Sequence, residues 1–373
     1  MILIDMEGKT MTLINNNTGK EKDKLSVIIP IHNGEKYIRN TIKRIQKQNY
    51  CNYELILVEN GSSDNSWEIL KEIRKQNPNI IIFKNNEKGT SLARKKGIAL
   101  ATGKYIIFSD QDDQYLNPNC FTRMVDAIEK EGSDICQFGY YSKMCGIKRL
   151  HSTVRENKII TRERLLQKEI QGIVASGTSA LNTNVWSKIY RAEILKEIVN
   201  KINQPLYYCE DMYLNTMAFF NKNIKKISVY PEAYYVWNVG IGTSGASEAA
   251  KKLFSEYEFL KPLIIELVEK NNVSEEVKYN IYMEIIYFMK VIIENMIDEK
   301  IKEIDVIRQI EDYEKMNMVN LAKKYLKNNV KESYEELDFL LSSYTAKEYY
   351  DYLIIHRNVD KKRLLIKKIT RFI

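Results

Sequence analysis

The chain has 373 residues, which predicts about two domains, and its 44% hydrophobic content is ordinary for a globular protein with a packed core. The net charge of +8 is modest and the basic residues are dispersed until the very end of the chain, which disfavours a nucleic-acid-binding protein. Five widely separated cysteines without a Cys-x-x-Cys pair indicate reduced thiols in a cytosol rather than a disulfide framework or a zinc site.

The first part of the chain alternates between short apolar runs and helical periodicities. Residues 1–24 are rich in turn-forming and charged residues and predict an N-terminal extension. The predicted strands are 25–31, 54–58, 80–83 and 105–108, and the predicted helices between them are 35–48, 66–76 and 91–101. Strands that alternate with helices through short connections predict an α/β fold, in which a mostly parallel sheet is flanked by helices.

An acidic cluster follows the fourth predicted strand. In the run KYIIFSDQDDQYL, the apolar residues lead directly to Asp110, Asp112 and Asp113. Ligands bind at the carboxyl ends of strands in open α/β sheets, and clustered carboxylates repel one another unless a cation lies among them. Two acids with one residue between them, such as Asp110 and Asp112, can bind one hard divalent cation, with phosphate oxygens as its further ligands. The pattern favours a metal and phosphate site, although a solvated acidic turn would have the same composition.

A second acid pair, Glu210 and Asp211, begins a predicted helix in the segment 205–220. Such a pair can act only as a helix cap or a partner of the helix dipole, or it can provide a general base. Further on, the aromatic run Tyr234–Trp237 predicts a last strand, and Gly-Thr-Ser-Gly at 242–245 predicts a mobile loop that closes over a ligand.

Beyond residue 247 glycine disappears, and the sequence predicts a helical C-terminal domain, 247–373. The helical periodicities cover 253–269, 275–296, 304–325 and 334–355. Such a region could form a homodimer, bind a protein partner or shape a substrate site. The chain ends in KKRLLIKKITRFI, which suits either a helix on an anionic membrane surface or a solvated terminal helix. No stretch approaches the roughly 18 apolar residues of a membrane span, which predicts a soluble or peripheral protein.

Several motifs occur in the order that one enzyme family shows. The runs VIIPIHNGEKYI, ELILVENGSSDNS and GTSLARKKGIALATGKYIIFSDQDD are followed by WSKIYRAEIL and YYCEDMYLN. Over about residues 25–240 they resemble the family 2 glycosyltransferases of bacterial cell-envelope type, which have the GT-A fold. The resemblance implies a Rossmann-like GT-A domain over 25–246, and an enzyme that moves a sugar from a nucleotide diphosphate to a hydroxyl group.

The resemblance implies a nucleotide site at the ends of the first strands. Glu59 would accept a hydrogen bond from uracil, at a position where the family usually has Asp. Pro30 matches the family's residue beside the nucleotide, or it only ends the strand. His32 lies in the same turn and is a candidate nucleotide contact. Arg94 matches a basic residue near the base and phosphates, where a guanidinium stays charged and offers forked donors.

Asp110 and Asp112 match the Asp-x-Asp motif of the family. The resemblance implies that Asp112 binds the cation, that Asp110 contacts the ribose or supports the cation, and that Asp113 supports the donor sugar or the turn. A Mn²⁺ or Mg²⁺ ion would neutralise the pyrophosphate so that the nucleoside diphosphate can leave. Many relatives have a histidine or a basic residue after the last strand that assists this step, whereas Asn238 follows Trp237 here.

The resemblance makes Asp211 the general base and Glu210 its neighbour. An acceptor hydroxyl is a poor nucleophile until a positioned carboxylate takes its proton. Attack from the side opposite the leaving diphosphate inverts the anomeric centre. Trp186 is a candidate floor for the acceptor sugar, with packing in the core as the alternative.

We therefore expect a cytoplasmic, metal-dependent, inverting glycosyltransferase that uses a UDP-sugar and acts on a cell-envelope polysaccharide or a lipid-linked glycan. The basic C-terminus would allow a peripheral position on the inner face of the membrane. One alternative is a protein O-glycosyltransferase that acts on a surface or flagellar protein. Another is a nucleotide-sugar-binding scaffold without turnover. No nucleic-acid partner is expected.

Overall fold

The computed structural model describes residues 3–4, 10–11, 23–77, 79–175, 178–240, 247–329, 335–342 and 344–356. The strands are β1 Leu3–Ile4, β2 Thr10–Met11, β3 Leu25–Ile31, β4 Tyr53–Glu59, β5 Ile80–Lys84, β6 Tyr105–Phe108, β7 Gln114–Tyr115, β8 Ile135–Met144, β9 Ile147–His151, β10 Lys158–Thr161, β11 Lys188–Arg191 and β12 Lys226–Asn238. The α-helices are α1 Ile38–Ile45, α2 Ser66–Gln76, α3 Thr90–Leu100, α4 Cys120–Glu131, α5 Arg162–Arg164, α6 Gln171–Val174, α7 Ala192–Ile198, α8 Glu210–Phe219, α9 Ser247–Lys270, α10 Glu275–Asp298, α11 Glu303–Lys315, α12 Asn317–Asn328, α13 Glu335–Leu341 and α14 over 346–356. A π-helical turn, Leu165–Glu169, and a 3₁₀ turn, Val199–Lys201, complete these elements.

A mixed sheet forms the centre of the molecule, with the strand order β10-β12-β8-β11-β6-β3-β4-β5. Four neighbouring strands at one edge, β6-β3-β4-β5, are parallel to one another. Strand β11 is antiparallel to both of its neighbours, and β12 is parallel to β8. The parallel strands are those predicted in the first part of the sequence. The predicted α/β fold with a following helical region is therefore confirmed.

The parallel strands are buried because nearly every residue in them is apolar. Successive side chains point to opposite faces of a strand, so Val27 and Ile28 enter different cores. Ile28 packs with the α3 residue Ala93, and Val27 packs in the cluster that contains the α1 residue Ile38. Helices thus cover both faces of the sheet and leave its carboxyl edge to carry the site.

The predicted strands of the first part agree with the structure to within a residue or two, whereas several elements of the middle part, among them α4 and β8 to β11, were not predicted. Strand β12 is 13 residues long, and only its last residues, Tyr234–Trp237, read as a strand. The hairpin of β8 and β9 was not assigned, because its outer residues are exposed and lack a clear apolar alternation.

The C-terminal region is helical throughout its described part, but two predicted helices are divided. Met316 adopts an extended backbone, with φ −69° and ψ 130°, and separates α11 from α12 within the predicted helix 304–325. The predicted helix 334–355 comprises α13 and α14. Helix α9 packs against the α/β part, because Leu260 and Ile264 belong to the same core as Ile28.

Several predictions concern residues outside the described ranges. These are most of the extension 1–24, the loop at 242–245 and the basic segment 361–373. The boundary predicted between residues 246 and 247 and the homodimer also stay predictions. None of the helices in the described ranges combines the length and the apolar character that crossing a membrane requires.

Candidate active site

The carboxyl ends of β3, β4 and β6 meet at one edge of the sheet. In the strand register, Ile31 pairs with Glu59 and Ile28 pairs with Phe108. The N–H of Ser109 donates to the Ile28 carbonyl at 3.0 Å, so the chain leaves β6 beside the end of β3. Parallel strands therefore bring together the ends of β3 and β4, which carry Pro30 and Glu59, and the turn after β6, which carries Asp110.

Glu59 has a carboxylate oxygen that is available to a ligand. The residue is 1% exposed, and its Oε1 accepts a hydrogen bond from the Ser62 N–H. Its buried Oε2 has no hydrogen-bond partner among the described residues. Leaving a buried acceptor unsatisfied costs free energy, so an N–H donor from a ligand would stabilise this oxygen. The neighbouring Asn60 has a structural contact instead, because its Oδ1 accepts from the Gly89 N–H at 3.0 Å, just before α3 begins.

Gln111 fastens the acidic loop to the end of β3. Its carboxamide accepts from the His32 N–H at 2.9 Å and donates to the His32 carbonyl at 2.7 Å. The Thr41 hydroxyl donates to the Gln111 carbonyl at 2.6 Å. His32 is exposed, and its Nδ1 lies 3.1 Å from the Asn60 carbonyl oxygen. The sequence analysis did not identify Gln111, because it reads as a spacer between two acids.

Strand β12 holds the same loop from the other side. The Asp110 N–H donates to the Tyr235 hydroxyl at 2.9 Å. The Asn238 N–H donates to Asp113 Oδ1 at 2.8 Å, and the Asn238 carboxamide donates to the Asp112 carbonyl at 2.7 Å. Asn238 occupies the place where the family pattern suggested a leaving-group helper. Its contacts in this structure support the acidic loop.

The three acids carry more negative charge than their described surroundings neutralise. Burial raises the pKa of Asp112 to about 7, and Asp110 adds to the effect. Burial also raises the pKa of Asp110, against the influence of Arg94, and it raises the pKa of Asp113 well above the usual range. Of the described residues, only Arg94 forms an ion pair with any of these acids. A divalent cation would relieve this repulsion, and oxygen ligands suit Mg²⁺ and Mn²⁺. Among the described residues, these acids included, no group of three His, Cys, Asp or Glu side chains is arranged so that it could hold a metal ion.

Arg94 joins the two acid clusters that the sequence placed apart. This α3 residue is 1% exposed, and its N–H groups donate to three carboxylates. The distances are 2.5 Å to Asp211 Oδ1, 3.2 Å to Glu210 Oε1 and 3.3 Å to Asp110 Oδ1. Burial alone would lower the pKa of Arg94, but the three acids together raise it. The guanidinium is therefore a permanent cation between the acidic loop and the start of α8.

The acid pair at the start of α8 is held in a defined orientation. Asp211 Oδ2 accepts from the Val185 N–H at 3.1 Å, while its Oδ1 faces Arg94. Burial raises the pKa of Glu210 to about 8, an effect that Arg94 opposes and Asp211 reinforces. The two acids thus differ in their contacts, because both accept from Arg94 but Asp211 also accepts from the Val185 N–H.

Lys188 supports this arrangement and was not identified from the sequence. Its buried ammonium group donates to the Asn182 carbonyl and side chain, each at 2.8 Å, and to the Asn184 carbonyl at 2.5 Å. These bonds close the turn that presents the Val185 N–H to Asp211. Burial lowers the pKa of Lys188 to about 7, against the influence of Asp211. Residues two apart on a strand point to the same face, so the place of Lys188 two residues before Tyr190 on β11 was the signal in the sequence that its side chain is buried.

Trp186 lies in an aromatic cluster beside the acidic loop. It is 6% exposed and stacks on Tyr235 with ring centroids 4.8 Å apart. Tyr140 meets it edge to face at 4.7 Å, and Trp237 stacks at 6.4 Å. The cluster positions Tyr235, whose hydroxyl bonds the acidic loop. The acceptor role of Trp186 stays a prediction.

Residues 26–189 match the sequence profile of the family described as Glycosyl transferase family 2. These residues therefore form a domain of this family. It is 26% identical over 215 residues to the uncharacterized glycosyltransferase EpsJ of Bacillus subtilis (strain 168), which covers 57% of the chain and 60% of EpsJ. It is 24% identical over 248 residues to the poly(ribitol-phosphate) beta-N-acetylglucosaminyltransferase TarS of Staphylococcus aureus (strain Mu50 / ATCC 700699), which covers 66% of the chain and 40% of TarS. The chain thus spans less than two-thirds of either relative.

A solved structure confirms the GT-A fold with its helical continuation. The crystal structure of S. aureus TarS 1–349 in complex with UDP-GlcNAc superposes with a TM-score of 0.61, at 21% identity, over 85% of this chain and 84% of that chain. The resemblance to family 2 glycosyltransferases that the sequence motifs indicated is confirmed. The roles of individual site residues stay predictions.

Proposed function

We propose that the chain is an inverting glycosyltransferase that moves a sugar from a UDP-sugar, with the help of a divalent cation, to a hydroxyl group of a cell-envelope glycan. One observation carries this proposal. Arg94 brings the acid cluster at the end of β6 and the acid pair at the start of α8 into contact with one guanidinium. A donor site and a general base must lie side by side for glycosyl transfer, and this contact places their candidates together.

The nucleotide would bind at the ends of β3 and β4. The unpaired Oε2 of Glu59 fits the N–H of a uracil ring, which supports a uridine donor. The relative TarS supports the same donor class, because its crystal structure contains UDP-GlcNAc. Pro30 and His32 lie at the same edge of the sheet and would adjoin the nucleotide.

Asp112 and Asp110 would hold the cation, and Asp113 would keep their loop in place. Burial raises the pKa values of these acids, and this observation fits a cation. A bound cation would offset the repulsion between neighbouring buried carboxylates. When bound, Mn²⁺ or Mg²⁺ neutralises the developing charge of the diphosphate. The protein's own contribution is to hold the loop rigid through Gln111 and Asn238.

Asp211 would take the proton of the acceptor hydroxyl. Its two oxygens are oriented by Arg94 and by the Val185 N–H, so the carboxylate is fixed before the acceptor arrives. Such preorganisation avoids reorganisation during the reaction. Direct attack on the donor with a single base inverts the anomeric centre, so an α-linked donor would give a β-linked product.

The acceptor class is supported by the relatives. TarS is named for transfer to poly(ribitol-phosphate), and a second relative, from Bacillus spizizenii (strain ATCC 23059 / NRRL B-14472 / W23), is named poly(ribitol-phosphate) beta-glucosyltransferase. A cell-envelope polymer is therefore the class of acceptor that we propose. The protein O-glycosyltransferase and the inactive scaffold remain as outcomes of the test.

The test gives the full chain radiolabelled UDP-GlcNAc, UDP-glucose or GDP-mannose, with Mn²⁺ or with EDTA, and either a membrane-derived glycan fraction or a cytosolic protein fraction. We expect cation-dependent label from a UDP-sugar in the glycan fraction, with the β anomer found by NMR. Label in protein would replace the acceptor class by the protein alternative. Donor binding without transfer or hydrolysis under any condition would favour the scaffold and overturn the proposal.

A further inference from the structure

The turn that precedes α8 is held by a side chain from the helical region. Glu256 lies on α9 and is 8% exposed. Its Oε1 accepts a hydrogen bond from the Tyr207 N–H at 2.8 Å. Its Oε2 accepts from the N–H groups of Tyr208 at 2.8 Å and of Cys209 at 2.9 Å. Three consecutive backbone donors therefore converge on one carboxylate, and α8 begins at the next residue.

These hydrogen bonds define the entry of the chain into α8. Bonds from N–H groups to a buried carboxylate are stronger than bonds between neutral groups. The residue before α8, Cys209, makes no side-chain capping bond to the helix. A helix without such a cap has a less defined first turn, so an external clamp matters more. The course of residues 207–209 thus depends on Glu256.

Glu256 is itself fixed by the packing of α9. Tyr257 and Leu260 are buried in the core that also contains the α/β sheet. The buried Lys261 ammonium donates to the Val174 carbonyl at 2.7 Å and to Glu284 Oε2 at 2.5 Å. The ion pair with Glu284 links α9 to α10, and the hydrogen bond to the Val174 carbonyl links α9 to α6. The helix that carries Glu256 is therefore held in place by contacts with two other helices.

We propose that Glu256 is a positioning residue for glycosyl transfer, which places Asp211 by fixing the backbone just before it. Side-chain contacts to Arg94 and Val185 orient the Asp211 carboxylate, and they require its backbone to stand at the matching distance. A shift of about 1 Å at a reacting group can cost about 100-fold in rate. The inference rests on the proposed function, in which Asp211 is the base. It makes the helical region part of the catalytic site.

The first test replaces Glu256 in the full chain. Glu256→Gln keeps the size of the side chain but turns one acceptor into a donor that faces backbone N–H groups. We expect kcat to fall about 10- to 100-fold, with KM for the UDP-sugar unchanged, because Glu59 and Asp112 lie on other elements. Glu256→Asp keeps the charge and should recover part of kcat. An unchanged kcat in Glu256→Gln, or a rise in donor KM that accounts for the loss, would overturn the proposal.

A matched control separates positioning from stability. Glu269 lies on the same helix, and its Oε1 accepts from the Tyr282 hydroxyl at 3.0 Å within the helical region. Glu269→Gln should leave kcat at the wild-type value, and the Tm of both variants is measured alongside. An equal loss of kcat in both variants would show that Glu256 matters only for stability, and would overturn the proposal.

Amide hydrogen exchange provides a readout that does not need turnover. Glu256→Ala should speed exchange of the Tyr207, Tyr208 and Cys209 amides at least tenfold relative to the wild type. Wild-type exchange rates in this variant would overturn the proposal, whatever the activity of the enzyme. If the wild type transfers no sugar at all, the proposed function fails, while fast exchange in the variant would still support the clamp.

Discussion

The two acid clusters of the site are compensated in different ways. Asp110, Asp112 and Asp113 stand on a loop whose only described cationic partner is Arg94 at one acid, and burial raises their pKa values. Asp211, by contrast, is bound by Arg94 and by a backbone N–H. A cluster that the protein leaves undercompensated suits a cation that arrives with substrate. A carboxylate whose two oxygens are both oriented by the protein suits the base that we propose.

The largest expected effect comes from Asp211→Asn, which removes the base and keeps its shape. We expect kcat to fall about 10²- to 10⁴-fold, because the acceptor hydroxyl loses the group that takes its proton. Donor affinity should stay within about twofold of the wild type. Steady-state transfer assays and donor titrations measure both quantities. Near-normal turnover would remove Asp211 as the base and make the two clusters alike.

Asp112→Asn tests the other side of the comparison. We expect the rise in Tm that a UDP-sugar causes in the presence of Mn²⁺ to disappear, because ligand binding to the folded state stabilises it in proportion to affinity. Asp312→Asn is the matched control, since that aspartate is exposed on α11 and pairs only locally with Lys315. An undiminished, cation-dependent rise in the Asp112 variant would argue against a cation at this loop.

Gly89→Ala tests the close contact between Gly89, just before α3, and Pro205, in the segment before α8. Gly89 has φ 138°, and an added Cβ would lie 2.7 Å from the Pro205 Cα. We expect a loss of about 1–3 kcal/mol in the free energy of unfolding, with reduced turnover because α3 carries Arg94. Urea denaturation measures the first and transfer assays the second.

The control for this contact is Gly132→Ala. Gly132 also has a positive φ, 60°, but an added Cβ there would meet nothing within 4 Å. Its loss of stability should be the smaller one, and its turnover should stay at the wild-type value. Equal losses in the two variants would show that the approach of Pro205 to Gly89 is not a constraint.

The smallest expected effect concerns the pH dependence of stability. The pKa of Glu210 is raised from 4.5 to about 8, so the folded state holds a proton that the unfolded state has released between these pH values. The free energy of unfolding therefore decreases as pH rises from about 5 to 8. Glu210→Gln lacks this contribution, and its Tm should fall less over that range, by several degrees. Melting curves in EDTA measure this difference. Parallel curves for the two proteins would contradict the raised pKa.

Predictability differed between the same two regions. The donor-side candidates Pro30, Glu59 and Asp110 lie at or near the ends of parallel strands, and strand periodicity was sufficient to place them at one edge, whereas Arg94 lies on α3. The base side depends on contacts between distant segments. Arg94 and Asp211 are 117 positions apart, and no local pattern indicates that the guanidinium faces acids rather than phosphates. The contacts of Gln111 and Asn238 were missed for the same reason, since each bonds the backbone of a distant segment.

By itself, the sequence determined the alternation of strands and helices in the first part of the chain, the edge of the sheet where we propose that the nucleotide binds, and the two acid clusters, because those features follow from local periodicity and from residue type. Only the tertiary structure decided how the clusters are joined and held. Burial of Arg94 and the clamp of Glu256 on residues 207–209 arise when segments far apart in the chain pack together. Hydrogen bonds of that kind depend on the final distances between elements, and no local pattern of residues encodes those distances.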